Sequence, residues 1–156
     1  MPTPISHLAV GYALGAWTQR PAPARRVCIA AAACAALPDI DVIAGPVLHR
    51  SFTHSFAFAL VGALVVTAIF FRDHPRVALI LGLAALSHIG LDELSSYSNG
   101  LALLAPFSWQ RYRCVWTPLG VPGRGLWAQL LQETFVVLLP AVLLGWLGYR
   151  RSQPTT

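Results

Sequence analysis

The chain has 156 residues, of which 56% are hydrophobic and only 11% charged, with a formal net charge of +5. Soluble domains carry roughly 25% charged residues, so this composition excludes an ordinary soluble enzyme and points to a membrane protein. All 11 basic residues are arginines, scattered singly or in pairs between apolar runs; that pattern marks membrane topology and gives no reason to expect a nucleic-acid partner.

In chain order, residues from Ile5 to Trp17 predict a short apolar helix with Ser6 as its N-cap. The segment from Gln19 to Arg26, rich in proline and arginine, predicts a loop. A second short, alanine-rich helix follows from Val27 to Leu37 and is ended by Pro38. At 1.5 Å per residue neither helix crosses a ~30 Å hydrocarbon core alone, and their small residues suit close packing. Cys28 and Cys34 in this run read as small buried hydrophobes. The residues from Asp39 to Thr53 predict an irregular connection, after which Thr53 or Ser55 caps a helix running to Phe71. That run is uncharged and is the best membrane-spanning candidate. A polar turn from Arg72 to Arg76 leads into a returning helix from Val77 to Leu94. A long segment of aromatics, prolines and glycines, from Ser95 to Gly125, precedes a last helix from Trp127 to Tyr149, which Pro140 should kink. The expected fold is therefore all-α: a membrane-embedded bundle of about five helices in one domain, residues 1–149, with short first two helices, a long outward loop and a polar tail, residues 150–156.

If the five helices traverse the bundle in turn, His7, Asp39, Asp41, His49, His54, His88 and Asp92 fall at one end. Arg20, Arg25, Arg26, Arg72, Arg76, Arg150 and Arg151 fall at the other, and the positive-inside rule makes that end cytoplasmic and the first end outward. His88 and Asp92, spaced i, i+4, share one helix face. Asp39 and Asp41 repel each other unless a cation or an arginine neutralises them. Each motif alone has a plainer reading: an intrahelical hydrogen bond for His88 and Asp92, a polar turn for Asp39 and Asp41, an interfacial histidine for His7. Together they exceed what hydrogen bonding requires, because ionisable groups at membrane depth cost ~2.5–3.5 kcal/mol each on insertion scales. Mixed nitrogen and oxygen donors suit a divalent metal, with zinc first and manganese or iron as alternatives. Seven candidate ligands exceed one tetrahedral site and leave room for two ions.

His7 with Gly11, Pro38-Asp39-Ile40-Asp41, His49-Arg50-Ser51-Phe52-Thr53-His54-Ser55, Ser87-His88 and Leu91-Asp92 follow one another in an order that resembles the YdjM-type family of membrane-bound metal-dependent hydrolases. Gly100, Leu103-Leu104 and Pro106-Phe107 extend the resemblance, which covers roughly residues 5 to 110; Ser51 stands where glycine is expected. The family is distantly similar to zinc-dependent phospholipase C, an all-helical hydrolase with a multi-metal His/Asp site. The resemblance implies an inner-membrane hydrolase using metal-activated water, and the more distant likeness implies a phosphoester or lipid-like substrate. Arg50 would then stabilise an anionic oxygen or orient an aspartate, and Glu93 and Glu133 would serve as supporting groups or bases. Arg111, Arg113 and Arg124 in the outward loop would hold a headgroup phosphate, unless Trp109, Tyr112 and Trp116 simply make that loop an interfacial aromatic belt. Two other readings stand beside the enzyme: a non-catalytic membrane protein in which the metal staples short helices, and an ion-handling transporter.

Overall fold

In the computed structural model, which describes residues 2–18, 24–44, 50–96, 100–120 and 125–151, five helices follow one another. They are α1 (Pro4–Thr18), α2 (Arg25–Ala36), α3 (Phe56–Phe70), α4 (Val77–Glu93) and α5 (Leu126–Arg151). Among the described residues there are no strands, only the isolated bridges Ser95–Leu119 and Leu101–Tyr112. Of the loop expected from Gln19 to Arg26, residues 19–23 lie outside the described residues, as does the tail at residues 152–156, while Arg25 and Arg26 instead form the first turn of α2.

Pro4 takes the first helical position of α1, where its missing N–H breaks no ladder bond. Ser6 is therefore not the cap expected from the sequence: it lies inside the helix, is buried, and its amide bonds the Thr3 carbonyl. Pro38 does stop α2 as an α-helix, yet the chain keeps turning as a 3-10 helix over Leu37–Ala44. This corrects the irregular connection expected there. A 3-10 turn needs only i→i+3 bonds, so it tolerates a proline near its start. Ser55 caps α3, its Oγ accepting from Phe58 N at 3.1 Å. In α5 the expected disturbance at Pro140 takes the form of a π-turn over Thr134–Leu138, between Leu126–Glu133 and Leu139–Arg151. The wider turn just before Pro140 absorbs the lost hydrogen bond and ring clash that a proline brings to an α-helix. The last helix also runs through Arg150 and Arg151, which the sequence reading assigned to the tail.

Small residues make the helix contacts. A Cβ placed on Gly11 would lie 2.5 Å from the Ala31 carbonyl oxygen and 2.6 Å from Ala35 Cβ, and one on Gly15 would lie 2.8 Å from Cys28 Cα. The i, i+4 glycine pair of α1 thus lets its backbone touch that of α2, as in small-xxx-small helix pairs. α4 packs against α1, α2 and α3, and α5 packs on α1. The core consists of Val27, Ala31, Cys34, Ala35, Ala63, Val77, Leu81 and Ala84, with Ala59, Ala85, Ile89 and Leu101 beside them.

Along α3 the buried stripe is Ala59, Ala63 and Thr67, while Leu60, Val61, Leu64, Val65, Ile69 and Phe70 face outward. α5 likewise buries Val137, Ala141, Gly145 and Gly148 and exposes Phe135, Leu139, Val142, Leu143 and Trp146. Small residues face in and large apolar residues face out, the reverse of a soluble helix. One described helix, Leu126–Arg151, is long and apolar enough to cross a membrane; Phe56–Phe70 is apolar but shorter.

The segment after α4 folds back over the Arg50 to Ser55 turn. Ala102 N donates to the Arg50 carbonyl, and Phe56 N donates to Leu103 O at 3.0 Å.

Candidate metal centre

Four elements converge at the end of the bundle where α1 begins and α4 finishes. α1 supplies His7, the 3-10 stretch supplies Asp39 and Asp41, the turn before α3 supplies Arg50 and His54, and α4 supplies His88 and Asp92. His7, His54, His88 and Asp92 have 0% exposure. His49 and Arg124 lie outside the described residues.

The i, i+4 spacing of His88 and Asp92 puts both on the buried face of α4, in line with Leu81 and Ala84. The Asp92 carboxylate sits among the other groups. Its Oδ1 is 3.6 Å from His7 Nε2. Its Oδ2 is 3.4 Å from Arg50 Nε, 3.5 Å from His54 Nε2 and 3.9 Å from His88 Nε2. These distances are long for hydrogen bonds and place a ring of donor atoms around a shared space. Asp39 Oδ1 is 3.7 Å from His88 Nε2, and the His7 and His88 rings stack with centroids 3.8 Å apart.

Asp39 and Asp41 do not confront each other, because residues two apart on a 3-10 turn point in different directions. Asp39 faces His88. Asp41 Oδ2 instead accepts from Arg50 N at 2.9 Å and Thr53 Oγ1 at 2.5 Å, and lies 3.3 Å from His54 Nδ1. Arg50 adopts φ 64° to deliver its amide to Asp41. Ser51 has φ −98°, so the left-handed step of this turn falls on Arg50 and no glycine is required at 51 for that reason.

The hydrogen bonds assign the imidazole tautomers. His88 Nδ1 is 2.7 Å from the Ala35 carbonyl, which can only accept, so Nδ1 carries the hydrogen. His54 Nδ1 lies between Thr53 Oγ1, at 3.1 Å, and the Asp41 carboxylate, and it too is the donor. Both Nε2 atoms then present lone pairs, and they are 3.0 Å apart. Two lone pairs so close repel unless a cation, whether a shared proton or a metal ion, lies between them. Imidazoles whose second nitrogen is tied to a carbonyl or carboxylate are the arrangement typical of metal-ligating histidines. The charge balance agrees. Asp39, Asp41 and Asp92 outnumber the single Arg50 guanidinium by two negative charges, which one divalent ion offsets.

Two donor triads share His88: His7 with His88 and Asp92, and Asp39 with His54 and His88, the ligand atoms of each within 4.8 Å of one another. Tetrahedral zinc with bonds of ~2.0–2.1 Å separates its ligand atoms by about 3.3 Å, inside the 3.0–3.9 Å range of the observed pairs. The residues can therefore hold one divalent ion in either triad; His88, whose Nδ1 is committed to Ala35, offers a single lone pair, so any second ion would have to be held by the carboxylates and the remaining histidines.

The other residues singled out in the sequence stand outside this cluster. Glu133, buried on α5, accepts from the backbone amide of Thr3 and from its Oγ1 at 2.6 Å, fastening the start of α1 one turn before His7. Glu93 Oε2 accepts from Cys114 N at 2.7 Å and anchors the long loop. Arg111 Nη1 donates to the Gly100 carbonyl at 3.0 Å; Arg113 is exposed. The sequence reading missed two contributors. Thr53 was read only as a cap, although its place between Arg50 and His54 was a signal. The Ala35 carbonyl that orients His88 is a backbone group and leaves no trace in residue type.

Residues 1–154 match the family described as YdjM inner membrane protein. The chain is 33% identical to Inner membrane protein YbcI of Escherichia coli (strain K12) over 172 residues, covering 97% of this chain and 99% of that one. No solved structure matches. The chain belongs to the YdjM inner membrane protein family, and an inner-membrane location follows from that membership.

Proposed function

We propose that this chain is a multi-pass inner-membrane hydrolase, its metal centre at the outward end and its arginine-rich end in the cytoplasm, acting on a phosphoester or lipid-like ester. The observation that carries the metal reading is the pair of His54 and His88 Nε2 atoms 3.0 Å apart, each with its Nδ1 hydrogen already committed. The exposed apolar faces of α3 and α5 support embedding in lipid, since soluble monomers rarely present contiguous apolar patches of this extent.

In this proposal His7, Asp39, His54, His88 and Asp92 are the ligands; His49 belongs to the same pool by sequence. Zinc suits the mixed nitrogen and oxygen set, with manganese and iron as alternatives. A divalent ion bound there supplies Lewis-acid polarisation of an ester oxygen and acidifies water near neutral pH. The chain's own groups do the rest. Asp41 and Thr53 hold the His54 ring, the Ala35 carbonyl holds His88, and Arg50 orients Asp92 and offers positive charge to an anionic oxygen. Glu133 and Glu93 support the site through Thr3 and Cys114, and Arg111, Arg113 and Arg124 would meet a headgroup phosphate. Residues 1–149 form one functional unit in this reading.

A second reading is favoured by burial. With His7, His54, His88 and Asp92 all at 0% exposure, a metal there would also serve as a closed staple between α1, α4 and the turn before α3. Metal analysis of detergent-purified protein, joined to assays on phospholipid and phosphodiester panels, separates the two. The hydrolase reading expects stoichiometric metal, turnover in the wild type, and loss of turnover with metal and fold retained in Arg50→Gln. Metal-loaded wild type with no turnover, whose stability alone falls in His88→Ala, would establish the staple; protein without metal in either form refutes both.

A further inference from the structure

We propose that the groove between α2 and α3 is a binding site for one acyl chain of an anionic phospholipid, with Arg26 at its headgroup end. α2 and α3 each pack along α4 but touch each other little. The small side chains Ala30, Ala33 and Cys34 on α2 leave the space between them unfilled. The result is an apolar groove of about 420 Å³, walled on the α3 side by Val66, Phe70 and Phe71.

Three observations identify the occupant. Length is the first. The lining runs along α2 from Arg26 to Leu37, about 16 Å at 1.5 Å per residue, close to the ~15 Å depth of one leaflet of a ~30 Å hydrocarbon core.

Charge is the second. Arg26 lines the groove at one end only, where Arg25, Arg72 and Arg76 are also exposed and Asp73 is the single nearby acid in the sequence. Arg25 and Arg26 occupy the first turn of α2, which has no acidic residue and no side-chain cap. Cations there oppose the positive end of the helix dipole, and a phosphate at the mouth offsets both.

Exclusion of a second copy of this chain is the third. Copies inserted in the same orientation would bring identical arginine-rich ends together in one plane, where like charges repel. A lipid phosphate meets no such conflict. The charged mouth of the groove lies at the opposite end of the bundle from the metal centre, and the proposal does not rest on that centre.

The test uses full-length protein in a neutral detergent, titrated with phosphatidylglycerol or with phosphatidylcholine of the same chains. Thermal unfolding is followed by tryptophan fluorescence, and retained lipid by native mass spectrometry. Phosphatidylglycerol should raise the midpoint of the wild type more than phosphatidylcholine does. Arg26→Gln should weaken that effect about fivefold in lipid concentration, the value of one arginine near a charged headgroup. Ala33→Phe, which fills the groove from an exposed position, should abolish lipid retention. Arg151→Gln, whose side chain stacks on Trp17 away from the groove, should leave it unchanged.

Equal effects of Arg26→Gln and Arg151→Gln would mean general surface attraction and overturn the site. Equal stabilisation by the two lipids would overturn the role of charge. A cross-link between copies through Ala33→Cys in wild-type-like protein would assign the groove to self-association instead. If Ala33→Phe unfolds, retention of phosphatidylglycerol over phosphatidylcholine by the wild type from an equimolar mixture still decides the claim.

Discussion

Gly11→Ala tests whether the metal centre depends on the backbone contact of α1 with α2. The added Cβ would stand 2.5 Å from Ala31 O, 2.6 Å from Ala35 Cβ and 2.9 Å from Ala32 Cα. Two of these neighbours are backbone, so the clash is relieved only by moving one helix away from the other. Overpacking of this kind costs ~1–3 kcal/mol, while replacing a helical glycine by alanine returns ~1 kcal/mol of propensity. Gly62→Ala in α3 isolates the second effect, because a Cβ there meets nothing within 4 Å. Gly11→Ala should therefore be ~1–3 kcal/mol less stable than Gly62→Ala, the propensity gain cancelling between them. The strain should also reach the cluster. His7 lies one turn before Gly11, and Ala35, which the new Cβ strikes, holds His88 Nδ1. Unfolding in detergent with added zinc and with chelator gives the metal-dependent increment for each variant. That increment should shrink in Gly11→Ala and persist in Gly62→Ala. Equal stability and equal metal increments in the two variants would refute both the close contact and its connection to the site.

Three further outcomes follow from the same geometry. Thr53→Val removes the hydroxyl shared by Asp41 and His54 without touching a ligand; metal affinity, read by competition with a chelator, should fall ~10–100-fold with the fold retained. Glu133→Ala takes the acceptor from the Thr3 amide and hydroxyl and should cost ~1–3 kcal/mol in chemical denaturation, whereas Glu133→Gln keeps an acceptor oxygen and should recover most of it; equal losses would show that charge, not hydrogen bonding, holds the start of α1. For topology, cysteines introduced at Asp73 and Ser108 in a background without Cys28, Cys34 and Cys114 should label from opposite sides of the membrane; labelling from one side would end the five-crossing arrangement.

The helices were readable because each is a predominantly apolar run set between polar, proline-containing or glycine-containing segments. Ser55 capped α3 where expected, and α4 ends within a residue of its expected end. Pro38 ended the α-helix as expected; what failed was the irregular connection expected after it. A proline stops an α-helical ladder but not a 3-10 turn, and the alternative emerges only when Asp39 and Asp41 have His88 and the Arg50 to His54 turn to face. The site was half readable for a related reason. Spacing within one helix gives a shared face, so His88 and Asp92 could be paired from sequence. Spacing says nothing about which helices meet or at what height. The height of His7 beside His88 is set by Gly11 and Gly15 fitting against Ala31 and Cys28, a register choice invisible in either helix alone. The same limit applies to charges. Arg111 is expected to hold a phosphate, and one of its five N–H groups is given to the Gly100 carbonyl, a partner that only the fold of the loop could reveal. Arg50 kept its expected place near an aspartate because a turn of a few residues delivers it, with its amide and side chain serving two different carboxylates. Local geometry was legible where the chain makes it by itself; the donor pair of His54 and His88 exists only because two distant backbone segments hold their Nδ1 atoms, and that is where the metal reading acquires its force.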